Sequence, residues 1–211
     1  MAYAPFDLSG KVALVTGGNR GIGLGMAEAL AASNASIAGW GRKSAANDAA
    51  VEKLSGLGTG EVKAWTVDVA DEQAVIDATA DVVSSMGRID SCFANAGVGF
   101  GAPSFIEMTT ETWRKNMAVN LEGAFWTLRE SVKHMTERAK AGDPGGSVVG
   151  VASLAGIEGA ARNQAYAATK GGLPSMLRGI AVECGRYGIR ANSILPGWIA
   201  TDMTAGAQDN D

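Results

Sequence analysis

The chain has 211 residues, 46% of them hydrophobic and 19% charged, with a formal net charge of −4. That length fits a single domain, residues 1–211, able to bury a core. A mildly acidic balance without a Lys/Arg stripe speaks against a nucleic-acid partner and for small molecules.

Two cysteines, Cys92 and Cys184, give neither a disulfide framework nor a zinc spacing, so both read as buried thiols and no metal site is expected. The first ten residues lack a basic start and an apolar h-region. No segment approaches the ~18 apolar residues of a membrane span, so a cytoplasmic protein without a membrane partner is expected.

Lys11–Thr16 is an apolar run that predicts a strand, and after the turn Gly17-Gly18-Asn19-Arg20-Gly21-Ile22-Gly23 a helical pattern reaches Ser33. Strand, glycine turn and helix open a dinucleotide-binding unit. Glycine is needed at 17, 21 and 23 because a Cβ would hold the backbone off a pyrophosphate, which the helix N-terminus then receives. Asn19, Arg20 and Ile22 belong to the same candidate nucleotide turn. The spacing is T-G-x-x-x-G-x-G, since Met26 stands where G-x-G-x-x-G would need its last glycine.

Ser36–Trp40 predicts the second strand. An acid at its end would bond a ribose 2′-hydroxyl and repel a 2′-phosphate. This chain has Gly41 and then Arg42. Arg42 and Arg20 form a candidate phosphate clamp through charge-assisted hydrogen bonds, so NADP(H) is preferred and NAD(H) is the alternative. Lys43 is a substitute for Arg42, and a solvated turn is the bland reading of both.

A helix is expected over 44–56 and a third strand over Glu61–Val67, ending in Asp68-Val69. A third helix follows over Asp71–Met86, with Val75, Ala78, Val82 and Val83 on one face. Ile89–Ala94 predicts the fourth strand, closed by Asn95-Ala96-Gly97. After a loop over Val98–Thr110, one long helix is expected to reach about Lys140. Within it Asn120 stands among Met117, Val119 and Leu121; a buried amide demands partners, and a bond to its own helix backbone would suffice. His134, the only histidine, lies toward the exposed end of this helix and is not read as catalytic.

The fifth strand, Ser147–Val151, leads to Ser153, where a hydroxyl can face a substrate oxygen. Tyr166 and Lys170 are four positions apart, so on a helix they share a face. A free tyrosine ionises near pH ~10, and a neighbouring ammonium favours the phenolate. Alone, such a pair is more often a surface contact. The helix is expected to run to Tyr187, bent or broken near Gly171–Leu173 by Pro174. Ile189–Leu195 predicts a sixth strand, followed by Pro196 to Met203.

Six βα units imply a doubly wound parallel sheet in a three-layer α/β/α arrangement, a Rossmann fold of strand order 3-2-1-4-5-6. Taken together, the glycine spacing, Asn95-Ala96-Gly97, Ser153, Tyr166-x-x-x-Lys170 and Pro196-Gly197 resemble the short-chain dehydrogenase/reductases, from about Lys11 to Met203. The resemblance implies that Ser153, Tyr166 and Lys170 are catalytic, with Asn120 holding a water that links Lys170 to solvent. It implies that Asp68 and Val69 lie by the adenine, and that Asn95, Ala96 and Gly97 steady the sheet and brush the cofactor. Pro196, Gly197, Ile199 and Thr201 would pass the nicotinamide. It also implies a homodimer or homotetramer built on the two long helices.

Residues 204–211 contain neither the substrate-covering helix nor the further strand the resemblance implies, and read as the start of a lid. The expected activity is hydride transfer between NADP(H) and a carbonyl or secondary alcohol. A 3-oxoacyl carrier-protein reductase is the narrower alternative, suggested by Pro196 to Met203 but lacking a carrier-docking arginine at Val182. A non-catalytic nucleotide-binding protein is the alternative of another class.

Overall fold

In a computed structural model of the protein, residues 6–202, Thr204 and Ala205 are described. The remainder of the expected lid, and Met203, lie outside them.

Six strands, β1 (Val12–Thr16), β2 (Ser36–Gly41), β3 (Val62–Thr66), β4 (Ser91–Ala94), β5 (Gly146–Val151) and β6 (Ile189–Ile194), form one sheet of order β3-β2-β1-β4-β5-β6. Every pairing is parallel. All five residues of β1 are buried, as a central strand covered on both faces requires.

Side chains alternate between two cores. Leu14, Ala38, Cys92 and Val148 face one layer, made by α3 (Glu72–Met86), α5 (Gly123–Lys140) and α7 (Gln164–Cys184). Ala13, Val15 and Ile37 face the other, where α1 (Gly21–Ala32) and α2 (Ser44–Leu54) supply Ala27, Ala31 and Leu54. The order reverses between β1 and β4, so the switch-point crevice at the C-terminal strand ends receives the glycine turn and Asn95 together.

Two local expectations are corrected. The long helix is three pieces: α4 (Thr110–Met117), a π-helical turn over Ala118–Glu122, and α5. The widened turn contains Asn120, whose amide bonds outside the helix rather than to it. A short helix, α6 (Ala155–Glu158), follows Ser153. Finally, α7 is one helix through Pro174, so of the bend or break expected there the break does not form. The proline withholds one N–H, that which would serve the Lys170 carbonyl. Packing of Leu173 and Leu177, each 1% exposed, holds the helix together across that loss.

Candidate functional site

The glycine turn is shaped by close approach. Gly17 and Gly21 have φ of +64° and +51°, a region that disfavours side chains. A Cβ on Gly23 would strike the Gly17 carbonyl and the Asn95 amide. That amide is fixed: Asn95 Nδ2 donates to the Thr16 carbonyl at 2.9 Å, and the Asn95 and Ala96 N–H groups donate to Thr16 Oγ1 at 3.0 and 2.9 Å. Thr16 thus joins the ends of β1 and β4.

Arg20 is the N-cap of α1 in extended conformation, makes no side-chain cap, and no acid occupies the first turn. The helix presents free N–H groups over a glycine floor, a cradle suited to a phosphate. Thr201 is brought to the same turn, its Cγ2 lying 3.4 Å from where a Gly21 Cβ would stand.

At the end of β2, Arg42 and Lys43 are exposed and lead into α2, which also has no acid in its first turn. Gly41 beside them is buried. Asn19 Nδ2 donates to Asn47 Oδ1 at 2.8 Å, and Asn47 Nδ2 donates to the carbonyls of Gly41 and Trp65 at 3.0 and 3.1 Å. Asp68 is exposed and accepts from the Ala70 N–H, Val69 is buried, and Asp71 caps α3 by accepting from the Ala74 N–H. Gly123 allows α5 onto the Val69 carbonyl, which a Cβ would meet at 2.6 Å.

Across the crevice, β5 ends at Val151, and Lys170 Nζ donates to its carbonyl at 2.6 Å. Lys170 is 4% exposed, and burial lowers its pKa to about 8. Its ammonium lies 5.6 Å from the centroid of the Tyr166 ring. Ser153, two residues past Val151, is half-buried and its Oγ accepts from the Ala155 N–H at 3.2 Å. Gly97 admits Lys170 to this corner: a Cβ there would stand 3.4 Å from Nζ and 3.3 Å from Asn120 Oδ1.

Asn120 is buried, and its amide pairs with both polar groups of one residue: Oδ1 accepts from the Val98 N–H and Nδ2 donates to the Val98 carbonyl, each at 2.8 Å. Its Nδ2 also reaches Thr169 Oγ1 at 3.2 Å. One turn earlier Asn116, fully buried, treats Phe100 alike, accepting from its N–H at 3.2 Å and donating to its carbonyl at 2.9 Å.

At the far edge of the crevice, Pro196 O accepts from the Leu154 N–H at 3.1 Å, and Gly197 abuts the Leu154 side chain. The Ile199 carbonyl accepts from Thr204 Oγ1 at 2.7 Å, while Trp198 is 84% exposed. His134 is not at an exposed end as expected. It is half-buried at the opposite end of the strands, just before β4, where Nε2 accepts from the Ile89 N–H at 3.2 Å, and burial, with the Arg138 cation, lowers its pKa. Nearby Asp90 would be raised by burial. Hydrogen bonds from Arg88, the Val12 N–H and Arg138 outweigh that and hold it below the usual carboxylate range.

Asn47 and Asn116 escape a reading by motif. Each does carry a signal, a polar residue at an apolar-face position: Asn47 in register with the buried Ala50 and Leu54, Asn116 four before Asn120.

Comparison with known proteins agrees with this arrangement. The sequence matches the short chain dehydrogenase family over residues 11–211. It is 33% identical over 205 residues to a 2,5-dichloro-2,5-cyclohexadiene-1,4-diol dehydrogenase of Sphingobium indicum, covering 97% of this chain and 79% of that protein. It is 34% identical over 203 residues to a 3-oxoacyl-acyl-carrier-protein reductase of Chlamydia pneumoniae, covering 96% and 79%. The crystal structure of levodione reductase superposes with a TM-score of 0.89 at 34% identity, over 94% of this chain and 76% of that one. With its six-stranded switch-point crevice and its match along nearly all its length, the chain belongs to the short-chain dehydrogenase family of oxidoreductases.

Proposed function

We propose that the protein is an NADP(H)-dependent oxidoreductase that interconverts a carbonyl and a secondary alcohol through Ser153, Tyr166 and Lys170. One observation carries the reading. A buried ammonium lies beside the Tyr166 ring and is anchored on the strand end that leads to Ser153.

The crevice fits a dinucleotide. Its glycine floor has no room for Cβ atoms at 17 and 23, and two helix N-termini without acids face it, accompanied by Arg20, Arg42 and Lys43. Bound there, the dinucleotide supplies or accepts the hydride. Gly17, Gly21, Gly23 and Thr201 would hold its pyrophosphate, Arg20 and Arg42 its 2′-phosphate, Asp68 and Val69 its adenine, and Asn95 to Gly97 with Pro196 to Ile199 its nicotinamide half.

In reduction, Tyr166 donates its phenolic proton to the substrate oxygen, and Ser153 Oγ donates a hydrogen bond to that oxygen, opposing charge build-up there. In the oxidative direction the phenolate takes the hydroxyl proton. Lys170, as a cation, favours that phenolate. Asn120 belongs to the path that returns a proton to Tyr166, beside Lys170 and Thr169. The presence of Ser153, Tyr166 and Lys170 together favours catalysis over nucleotide binding alone. Reduction of an acyl-carrier substrate is a second reading, favoured by the Chlamydia relative, although Val182 puts an 87% exposed apolar side chain where a basic one would dock a carrier. A cytoplasmic homo-oligomer belongs to the same proposal.

Fluorescence titration with NADPH and NADH tests it. Tighter binding of NADPH, reduced about tenfold or more by Arg42→Asp, is expected. Equal affinity for both, unchanged by the substitution, would remove the phosphate clamp.

A further inference from the structure

On the nucleotide-site reading above, the geometry points to the Asn19–Asn47 amide pair as a cofactor-specificity device: it fills the space over Gly41 and thereby bars an acidic side chain from the end of β2. Asn47 is its positioning residue.

Gly41 is the last residue of β2, buried, and paired with Thr66 of β3. A Cβ built on it would collide with Asn19 Nδ2 and Asn47 Oδ1, and would stand 2.7 Å from Asn19 Cγ. The Asn47 oxygen is not the free end of a flexible side chain, and it holds Asn19 Nδ2 against Gly41. Asn47 is 3% exposed and its amide is committed three ways, to Asn19, to the Gly41 carbonyl and to the Trp65 carbonyl. To yield, it would have to leave the buried Gly41 carbonyl and the partly buried Trp65 carbonyl each with one donor fewer. The Gly17 and Gly18 N–H groups add to the tie, donating to the Trp40 carbonyl at 2.8 and 3.3 Å.

Selectivity is then set twice. Arg20 directly follows Asn19, and Arg42 directly follows Gly41, so the amide pair fixes the backbone on which both cations stand. An acid at 41 is what would recognise an unphosphorylated ribose. The same pair occupies its place. A single exchange at 41 therefore cannot convert the site to NAD(H); the exchange must be accompanied by loss of the Asn47 amide.

The test compares four full-length proteins: the parent, Gly41→Asp, Asn47→Ala and the double variant. Thermal midpoints are measured without nucleotide, and NADPH and NADH dissociation constants by fluorescence. Gly41→Asp alone is expected to melt several degrees lower and to bind both dinucleotides about tenfold or more weaker. The double variant is expected to melt above Gly41→Asp and to regain NADH binding while NADPH stays weak. Should Gly41→Asp fail to fold, Gly41→Ala, which adds only the Cβ, replaces it in the same cycle.

A Gly41→Asp protein that melts like the parent and prefers NADH would overturn the inference. So would a double variant that melts lower than Gly41→Asp by the full cost of Asn47→Ala. A parent without preference for NADPH would sink the NADP reading; the melting cycle still decides whether the amide pair excludes a side chain at 41.

Discussion

Lys170 Nζ is tied to the Val151 carbonyl at 2.6 Å, which fixes the buried ammonium to the end of β5 rather than only to the helix that carries it. The strand that presents Ser153 and the helix that presents Tyr166 are thereby joined at the site itself.

Replacing Tyr166 by Phe removes the proposed proton donor while keeping the ring. Steady-state turnover should fall by about two to four orders of magnitude, while NADPH affinity measured by fluorescence stays within about threefold. Turnover equal to the parent's would remove Tyr166 from the mechanism.

The lowered pKa of Lys170, about 8 against an ordinary 10.5, has two consequences with defined signs. The ammonium loses its charge as pH rises through about 8, so its support of the Tyr166 phenolate should fade above that pH, seen as a bend in the pH profile that Lys170→Met abolishes along with activity. For stability, the unfolded chain holds more protons than the folded one between about 8 and 10.5, so stability rises across that window and the burial penalty is present in full below it. The penalty is on the order of 3 kcal/mol from the shift alone, before the hydrogen bond to Val151 offsets part of it. Lys170→Met should therefore melt no lower than the parent at pH 7, with any gain lost toward pH 10.5. A variant that melts markedly lower at pH 7 would contradict this.

Asn116 holds Phe100 by both of its backbone polar groups, and the adjoining segment lines the crevice: a Gly99 Cβ would stand 4.0 Å from the Tyr166 ring, and the Ala102 N–H donates to the Arg162 carbonyl at 2.8 Å. Asn116→Leu leaves those groups without side-chain partners, costing about 1–3 kcal/mol. Thermal midpoint and substrate KM should both change while dinucleotide affinity does not. An equal loss of dinucleotide binding would mean the residue serves the whole fold rather than the substrate side.

The strands and their order were legible because a parallel sheet writes each strand as an apolar run between turn signals. The glycine turn was legible because close backbone approach admits only one residue type. At Pro174 the local rule offers a bend or a break, and tertiary packing overrides the break. The π-turn at Asn120 and the Asn47 network were hidden for a common reason: in both, a side-chain amide reaches a partner far along the sequence, Val98 in one case and Asn19 with Trp65 in the other. Helical periodicity carries no information about such pairings.

Asn116 and Asn120 bear one more consequence. Asparagines four residues apart, spanning the end of α4 and the π-helical turn, meet alternate backbone positions, Phe100 and Val98, as a neighbouring strand would. The chain leaving β4 has in effect a ladder partner made of side chains. The Val98 and Phe100 amides should accordingly exchange with solvent deuterium as slowly as those of the central strands, although neither residue lies in one.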